Sequence, residues 1–143
     1  MPETDERIVV DPGAILPFDR GSGVITLPYV GAWNSTTTTV TTGVTIFAPG
    51  TAIPLHTHNV EETVLVLSGE ASVTIGEERL EVSTGWATWV SAGVPHAFAN
   101  RGAGELRIYW VYGGRRVTRT ICATGETVEH LSSGDRRAAR VDG

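Results

Sequence analysis

The sequence contains no lysine; all eleven basic residues are arginine. A lysine Schiff base is therefore excluded, and with it pyridoxal chemistry, as is the lysine of a phosphate-binding P-loop. Cysteine occurs once, at Cys122. That rules out an internal disulfide and a cysteine-built zinc site, and a lone cysteine is expected to be a small buried apolar group. No apolar run approaches the ~20 residues that a membrane-spanning helix needs. The acidic start, Met1-Pro2-Glu3-Thr4-Asp5-Glu6, lacks the apolar centre of a secretory signal, so the cytoplasm is the expected address. Neither a long helical periodicity nor a helix-turn-helix pattern is present, which argues against a complete transcription factor.

What is present is β-forming. The chain has 143 residues, enough for one core and one domain. Nineteen Thr and seventeen Val, both suited to pleated surfaces, are punctuated by seventeen Gly and seven Pro. Strands are expected at residues 23–27, 38–47, 62–67, 71–75, 79–82, 87–90, 96–100 and 105–112, with a late one at 116–122. The Thr-rich run 35–39 also reads as strand, and Gly76-Glu77-Glu78 as a three-residue hairpin loop. Residues 1–131 form the expected domain. Residues 132–143 have no periodicity and read as a loose tail. The net charge is −5. Residues 1–100 carry three Arg against eleven acids, whereas residues 101–143 carry eight Arg against five. The bulk of the domain is acidic, which excludes nucleic acid as a partner, and the basic end reads as solvated.

Three of the four histidines lie in two clusters. In the first, Gly50 is followed by His56, His58, Glu61, Glu62 and Gly69. Residues two apart on extended backbone leave the same face, so His56 and His58 form a two-armed claw for a divalent metal. On spacing alone they could equally be polar residues of a strand edge. Either Glu61 or Glu62 could add a carboxylate oxygen, and period-two alternation sends the two to opposite faces. The second cluster runs from Gly85 through Trp86, Trp89, Ser91, Gly93, Pro95 and His96 to Asn100. His130 lies outside both and reads as a surface residue.

These residues resemble the two motifs of the cupin superfamily. Gly50, His56, His58, Glu62 and Gly69 fit G-x5-H-x-H-x3,4-E-x6-G at every position. Gly85, Gly93, His96 and Asn100 fit G-x5-P-x-G-x2-H-x3-N, with Ser91 standing where the family has a turn-shaping Pro. Trp86, where many relatives have Asp, reads as a plug at the barrel mouth or an interface residue. The resemblance implies an all-β fold, the double-stranded β-helix or jelly-roll cupin barrel. It implies one divalent transition-metal ion per chain, held by His56, His58, Glu62 and His96, and it selects Glu62 over Glu61. Fe(II) is the first candidate, and Mn, Ni, Co, Zn or Cu suit the same donors.

Strand parity places Phe98 and Asn100 on the face of His96, and Val64 and Val66 on that of Glu62. An apolar-walled pocket for a small oxygen-donor organic ligand follows. Thr45 and Tyr109 are further polar candidates if they point inward, and the remaining aromatics read as core or interface. The resemblance covers dioxygenases and other oxidoreductases, isomerases, lyases, decarboxylases, cyclases and non-catalytic binding modules. Three His and one carboxylate leave two octahedral positions open, enough for a bidentate substrate or for substrate plus dioxygen. A metal-dependent dioxygenase is the first expectation and an isomerase, lyase or decarboxylase the second. A homodimer is also implied.

Overall fold

The computed structural model describes residues 5–141; residues 1–4 of the acidic start and residues 142–143 lie outside the described part. After a short 3-10 turn at Pro12–Ala14, the strands in chain order are β1 (Phe18–Gly21), β2 (Val24–Val30), β3 (Thr41–Phe47), β4 (Thr51–Ala52), β5 (His56–His58), β6 (Glu62–Ser68) and β7 (Glu70–Ile75). They continue as β8 (Glu78–Ser83), β9 (Ala87–Val90), β10 (His96–Asn100), β11 (Leu106–Tyr112), β12 (Thr118–Ile121), β13 (Thr127–Glu129) and β14 (Ala139–Arg140). One sheet has the order β1-β2-β3-β11-β6-β9. The other runs β13-β12-β5-β10-β4-β14, with β7 paired to β10 and β8 to β7. The expected jelly roll is thus a sandwich of two antiparallel sheets. No helix among the described residues is long and apolar enough to cross a membrane.

Alternation decides which side chains meet between the sheets. Glu62, Val64 and Val66 of β6 are buried while Thr63 and Leu65 are exposed. On β11 the inward row is Leu106, Ile108, Trp110 and Tyr112. These residues join Val24, Phe47, Val73 and Phe98 in the main core. Trp110 faces Gly43 of β3 in the register. A Cβ at Gly43 would stand 2.5 Å from the Trp110 ring, so the glycine is required by the indole. At Gly69 the backbone has φ +92° and a Cβ would lie 2.6 Å from the Glu105 carbonyl oxygen, which leaves only glycine.

Several expectations need correction. Residues 35–39 are not strand, and β3 begins only at Thr41. The Glu6 carboxylate draws this run into a loop. It accepts hydrogen bonds from the Ser35 hydroxyl at 2.6 Å, the Thr37 hydroxyl at 2.7 Å and the Thr36 amide at 2.9 Å. Ser and Thr side chains of this kind offer the backbone an alternative to a ladder. The hairpin loop is two residues, Gly76 and Glu77, because Ile75 already pairs with Glu78. Cys122 is exposed rather than buried, since it starts the turn that follows β12.

The last segment is not loose either. β14 pairs with β4, the Val141 amide donates to the Gly50 carbonyl, and the Arg136 guanidinium stacks 4.1 Å from the Phe18 ring centre. Charge and backbone pairing hold this segment, and neither leaves an apolar periodicity to read.

Candidate metal centre

His56 and His58 sit on β5, and His96 pairs directly with His56 across the β10–β5 ladder. Their ligand atoms all lie within 4.8 Å of one another. Glu62 comes from the opposite sheet, at the first position of β6, so the group bridges the sandwich. Its Oε1 is 2.8 Å from His96 Nε2 and 3.9 Å from His58 Nε2. Glu61 is exposed and accepts a hydrogen bond from Trp89 Nε1 at 3.0 Å, which leaves Glu62 as the inward carboxylate.

Each imidazole is oriented by main chain. Nδ1 of His56, His58 and His96 lies 2.6, 2.9 and 2.8 Å from the carbonyl oxygens of Pro54, Thr118 and Val94. A carbonyl only accepts, so each Nδ1 carries the proton and donates it. In neutral His56 and His58 the lone pair is then on Nε2, facing the cluster, as in a metal-ligating histidine held by its other nitrogen, whereas His96 Nε2 lies against the Glu62 carboxylate. Burial, reinforced by the Arg119 guanidinium, pushes His56 and His58 well below the usual histidine range and keeps them neutral. His58 Nε2 is buried with no hydrogen-bond partner among the described residues. Such an orphaned acceptor is costly unless something occupies it. The donor set fits a divalent transition metal.

The group opens onto a cavity of about 30 Å³ lined by Arg20, Thr45, Phe98, Tyr112 and Arg119 besides His56, Glu62 and His96. Phe98 is therefore where parity placed it. Val64, Val66 and Asn100 are buried but do not line the cavity. Asn100 instead donates to the carbonyls of Phe47 and Gly104, fixing the loop after β10. Thr45 points inward and takes the Trp110 Nε1 proton at 2.9 Å, whereas Tyr109 packs against Tyr29 on the outer face. A larger open groove of about 860 Å³ lies on the outside, beside Leu16, Tyr29 and Trp33, away from the histidines.

Four inward polar residues escaped the sequence reading. Arg20 and Arg119 are both buried and both pair with Asp135, each at 3.1 Å. His130, expected at the surface, packs edge-on against Trp110 and Tyr112 at 5.0 Å. Burial, with Arg20 close by, pushes it well below the usual range. Arg119 alternates with the buried Val117 and Ile121, so its inward direction was readable. For Asp135 no local signal exists.

Comparison with known proteins bears on this geometry. Residues 43–112, which hold all four candidate ligands, match the model of the cupin domain. The chain belongs to the cupin family. An RmlC-like cupin from Shewanella frigidimarina is 14% identical, with a TM-score of 0.65 over 78% of this chain and 94% of that one. The polyketide cyclase RemF from Streptomyces resistomycificus is 16% identical, with a TM-score of 0.67 over 92% and 91%. A Bacillus subtilis oxalate decarboxylase is 18% identical, with a TM-score of 0.64 over 80% of this cupin but only 30% of that chain. At these identities the likeness is one of fold. No curated protein sequence matches this cupin.

Proposed function

We propose that this cupin is a metal-dependent enzyme: His56, His58, His96 and Glu62 hold one divalent transition-metal ion that binds a small oxygen-donor organic substrate. The observation that supports this reading is the convergence of three Nε2 atoms whose Nδ1 protons are all committed to backbone carbonyls. A bound ion supplies Lewis acidity and, where it is redox-active, one-electron chemistry with dioxygen. The chain's own part is to orient the donors, keep His56 and His58 neutral and exclude water. Phe47, Phe98, Ile108 and Trp110 wall the cavity, and the indole is locked by its bond to Thr45. A dry wall of this kind supports oxygen-dependent chemistry as the first reading, with Fe(II) as the ion to test first.

A lyase, isomerase or decarboxylase is the second reading. Two buried guanidiniums on the cavity wall favour it, because fixed donors stabilise a developing oxyanion. The likeness to an oxalate decarboxylase and a polyketide cyclase is consistent with it. Turnover of small hydroxy acids, diketones and catechols by Fe(II)-loaded protein, with and without air, separates the two. Loss of turnover without oxygen, with matching oxygen uptake, is expected; undiminished anaerobic turnover transfers the function to the second reading. A homodimer is part of the proposal. Leu65, Leu67, Trp86 and Trp89 form an exposed apolar strip beside the edge strand β9, which a second copy would cover. Sedimentation as a monomer at micromolar concentration would refute it.

A further inference from the structure

We propose that the pocket beside Trp33 is the entrance to the metal centre and that the His130 side chain is its gate. The inference rests on reading the three histidines and Glu62 as a metal centre. No residue lining the inner cavity is more than 8% exposed, and its 30 Å³ has room for about two water-sized groups. An organic ligand therefore enters only if part of the wall moves.

Most of that wall is tied into strand ladders. β11, which carries Trp110 and Tyr112, pairs along nearly its whole length with β3 and β6, and β12 is paired on both sides with β5 and β13. Behind Trp110 and Tyr112 the filling is different, because it comes from a turn. His130 follows β13, and alternation from the half-buried Val128 turns it inward. Its ring stands edge-on to Trp110 and Tyr112 at 5.0 Å, and the Tyr112 ring lies 4.6 Å from that of His58. One hydrogen bond holds the imidazole, donated by the Arg20 guanidinium to Nε2 at a long 3.4 Å. Trp110, Tyr112 and Arg20 all line the inner cavity, so His130 touches three residues of its wall at once.

On its other side the same imidazole lines an open pocket of about 280 Å³, with Ala32, Trp33, Thr41, Arg115 and Arg116. Register puts this pocket at the same end of the sheet as the metal centre. Tyr112 pairs with Thr41 of β3 on one side and with Glu62 of β6 on the other. The pocket gives the imidazole room to turn, and turning breaks one long hydrogen bond instead of a ladder. The main chain does not have to follow. The His130 amide donates to the Val117 carbonyl at 2.9 Å, and the Leu131 amide to Asp135 Oδ2 at 2.8 Å. Leu131 itself is held at φ +62°, a conformation unfavourable for leucine that persists only where the surroundings fix it. The gate is a side chain turning on a rigid post.

The test measures how fast the full chain takes up and gives up Co(II). Stopped-flow mixing with Co(II), and of the loaded protein with excess dipicolinate, follows the visible Co(II) spectrum. His130→Ala should speed both directions about tenfold or more while the equilibrium affinity stays within about twofold, because a gate alters the barrier and not the bound state. Loss of a merely structural contact would instead speed release alone and weaken affinity. Ala32→Trp fills the outer pocket from an exposed position that is not part of the inner wall, so it should slow both directions severalfold. General loosening of the fold cannot produce that slowing.

Should His130→Ala unfold, His130→Asn, shorter than histidine and still polar, takes its place. Exchange rates that stay unchanged in the His130 variant or in Ala32→Trp overturn the gate. Wild-type protein that retains no Co(II) overturns the metal centre, and acrylamide quenching of the metal-free chain then judges the gate by itself. Trp110 is buried while Trp33, Trp86 and Trp89 are exposed, so the quench-resistant emission belongs to Trp110. That emission should become quenchable in the His130 variant; emission that stays resistant overturns the gate.

Discussion

Asp135→Asn should be the most damaging conservative substitution in this chain. The carboxylate has no solvent exposure and bridges two arginines that are themselves buried, Arg20 and Arg119, each at 3.1 Å. It also accepts the Leu131 amide at 2.8 Å, a bond that the Asn carbonyl keeps. What is lost is the charge and the acceptor oxygen that faces the Arg119 Nε. Two guanidiniums are left facing each other inside the sandwich, with only Glu62 to offset them. Removing one partner of a buried ion pair costs about 3–5 kcal/mol, because the abandoned charge stays desolvated. For a chain of this length each kcal/mol moves Tm by roughly 3–5 °C, so a drop of about 10–20 °C is expected.

Urea unfolding of wild type, Asp135→Asn, Arg119→Met and the double variant gives the test as a cycle. The Asp135→Asn penalty should shrink by about 1 kcal/mol or more in the Arg119→Met background, where one of the stranded cations is absent. Metal loading should enlarge the penalty, since it adds positive charge to the same space. A loss below about 1 kcal/mol, the scale of an exposed pair, would refute the reasoning and return residues 132–141 to the status of a loose tail.

Truncation after Leu131 removes Asp135 together with the β14–β4 pairing, and should yield protein that is insoluble or melts well below wild type. His58→Ala should lower metal content sharply by elemental analysis, and the lost stabilisation in excess metal should be about 2.7 kcal/mol where the wild type is at a hundredfold over its Kd. Glu6 is held near 2, down from its ordinary 4.5, first by the Ser35 hydroxyl and then by the Thr36 amide and Thr37 hydroxyl. Its folded-state value is depressed, so its contribution is present above pH 4.5 and is lost as pH falls towards 2. The stability difference between wild type and Glu6→Gln, followed by chemical denaturation, should close over that window; a difference independent of pH would show that the carboxylate does not organise the 35–40 loop.

The parts of this fold that were legible in the sequence are those where side chains alternate against a core. β6 and β11 read correctly because Val64, Val66, Ile108 and Trp110 need burial and their neighbours tolerate water. The clustering of the candidate ligands was legible for a related reason: His56 and His58 share a face by the period of a strand, and Glu62 shares that of the core valines. Parity failed where the backbone was claimed by something non-local. The Thr36 and Thr37 amides could have entered a ladder, yet Glu6, some thirty residues away, offered them and the Ser35 and Thr37 hydroxyls a carboxylate. Asn100 faces inward as expected, but its amide is spent on Phe47 and Gly104, and direction alone does not reveal a competing partner.

The same distinction divides the candidate site. The segment shared with the cupin family, residues 43–112, contains every candidate metal ligand and most of the apolar wall. Arg20, Arg119, His130 and Asp135 all lie outside it, on β1, on β12, after β13 and in the turn leading to β14. Those residues carry no metal-binding pattern, but they decide the charge that a bound ion would face. Neutral histidines and one carboxylate would accept ligands of either kind at a divalent ion, whereas an adjacent buried arginine discriminates by charge. The shared segment thus provides a centre able to hold an ion. The flanks, joined by the Asp135–Arg20 pair, the Arg136–Phe18 stack and the Ala138 amide on the Arg20 carbonyl, set the charge around that centre.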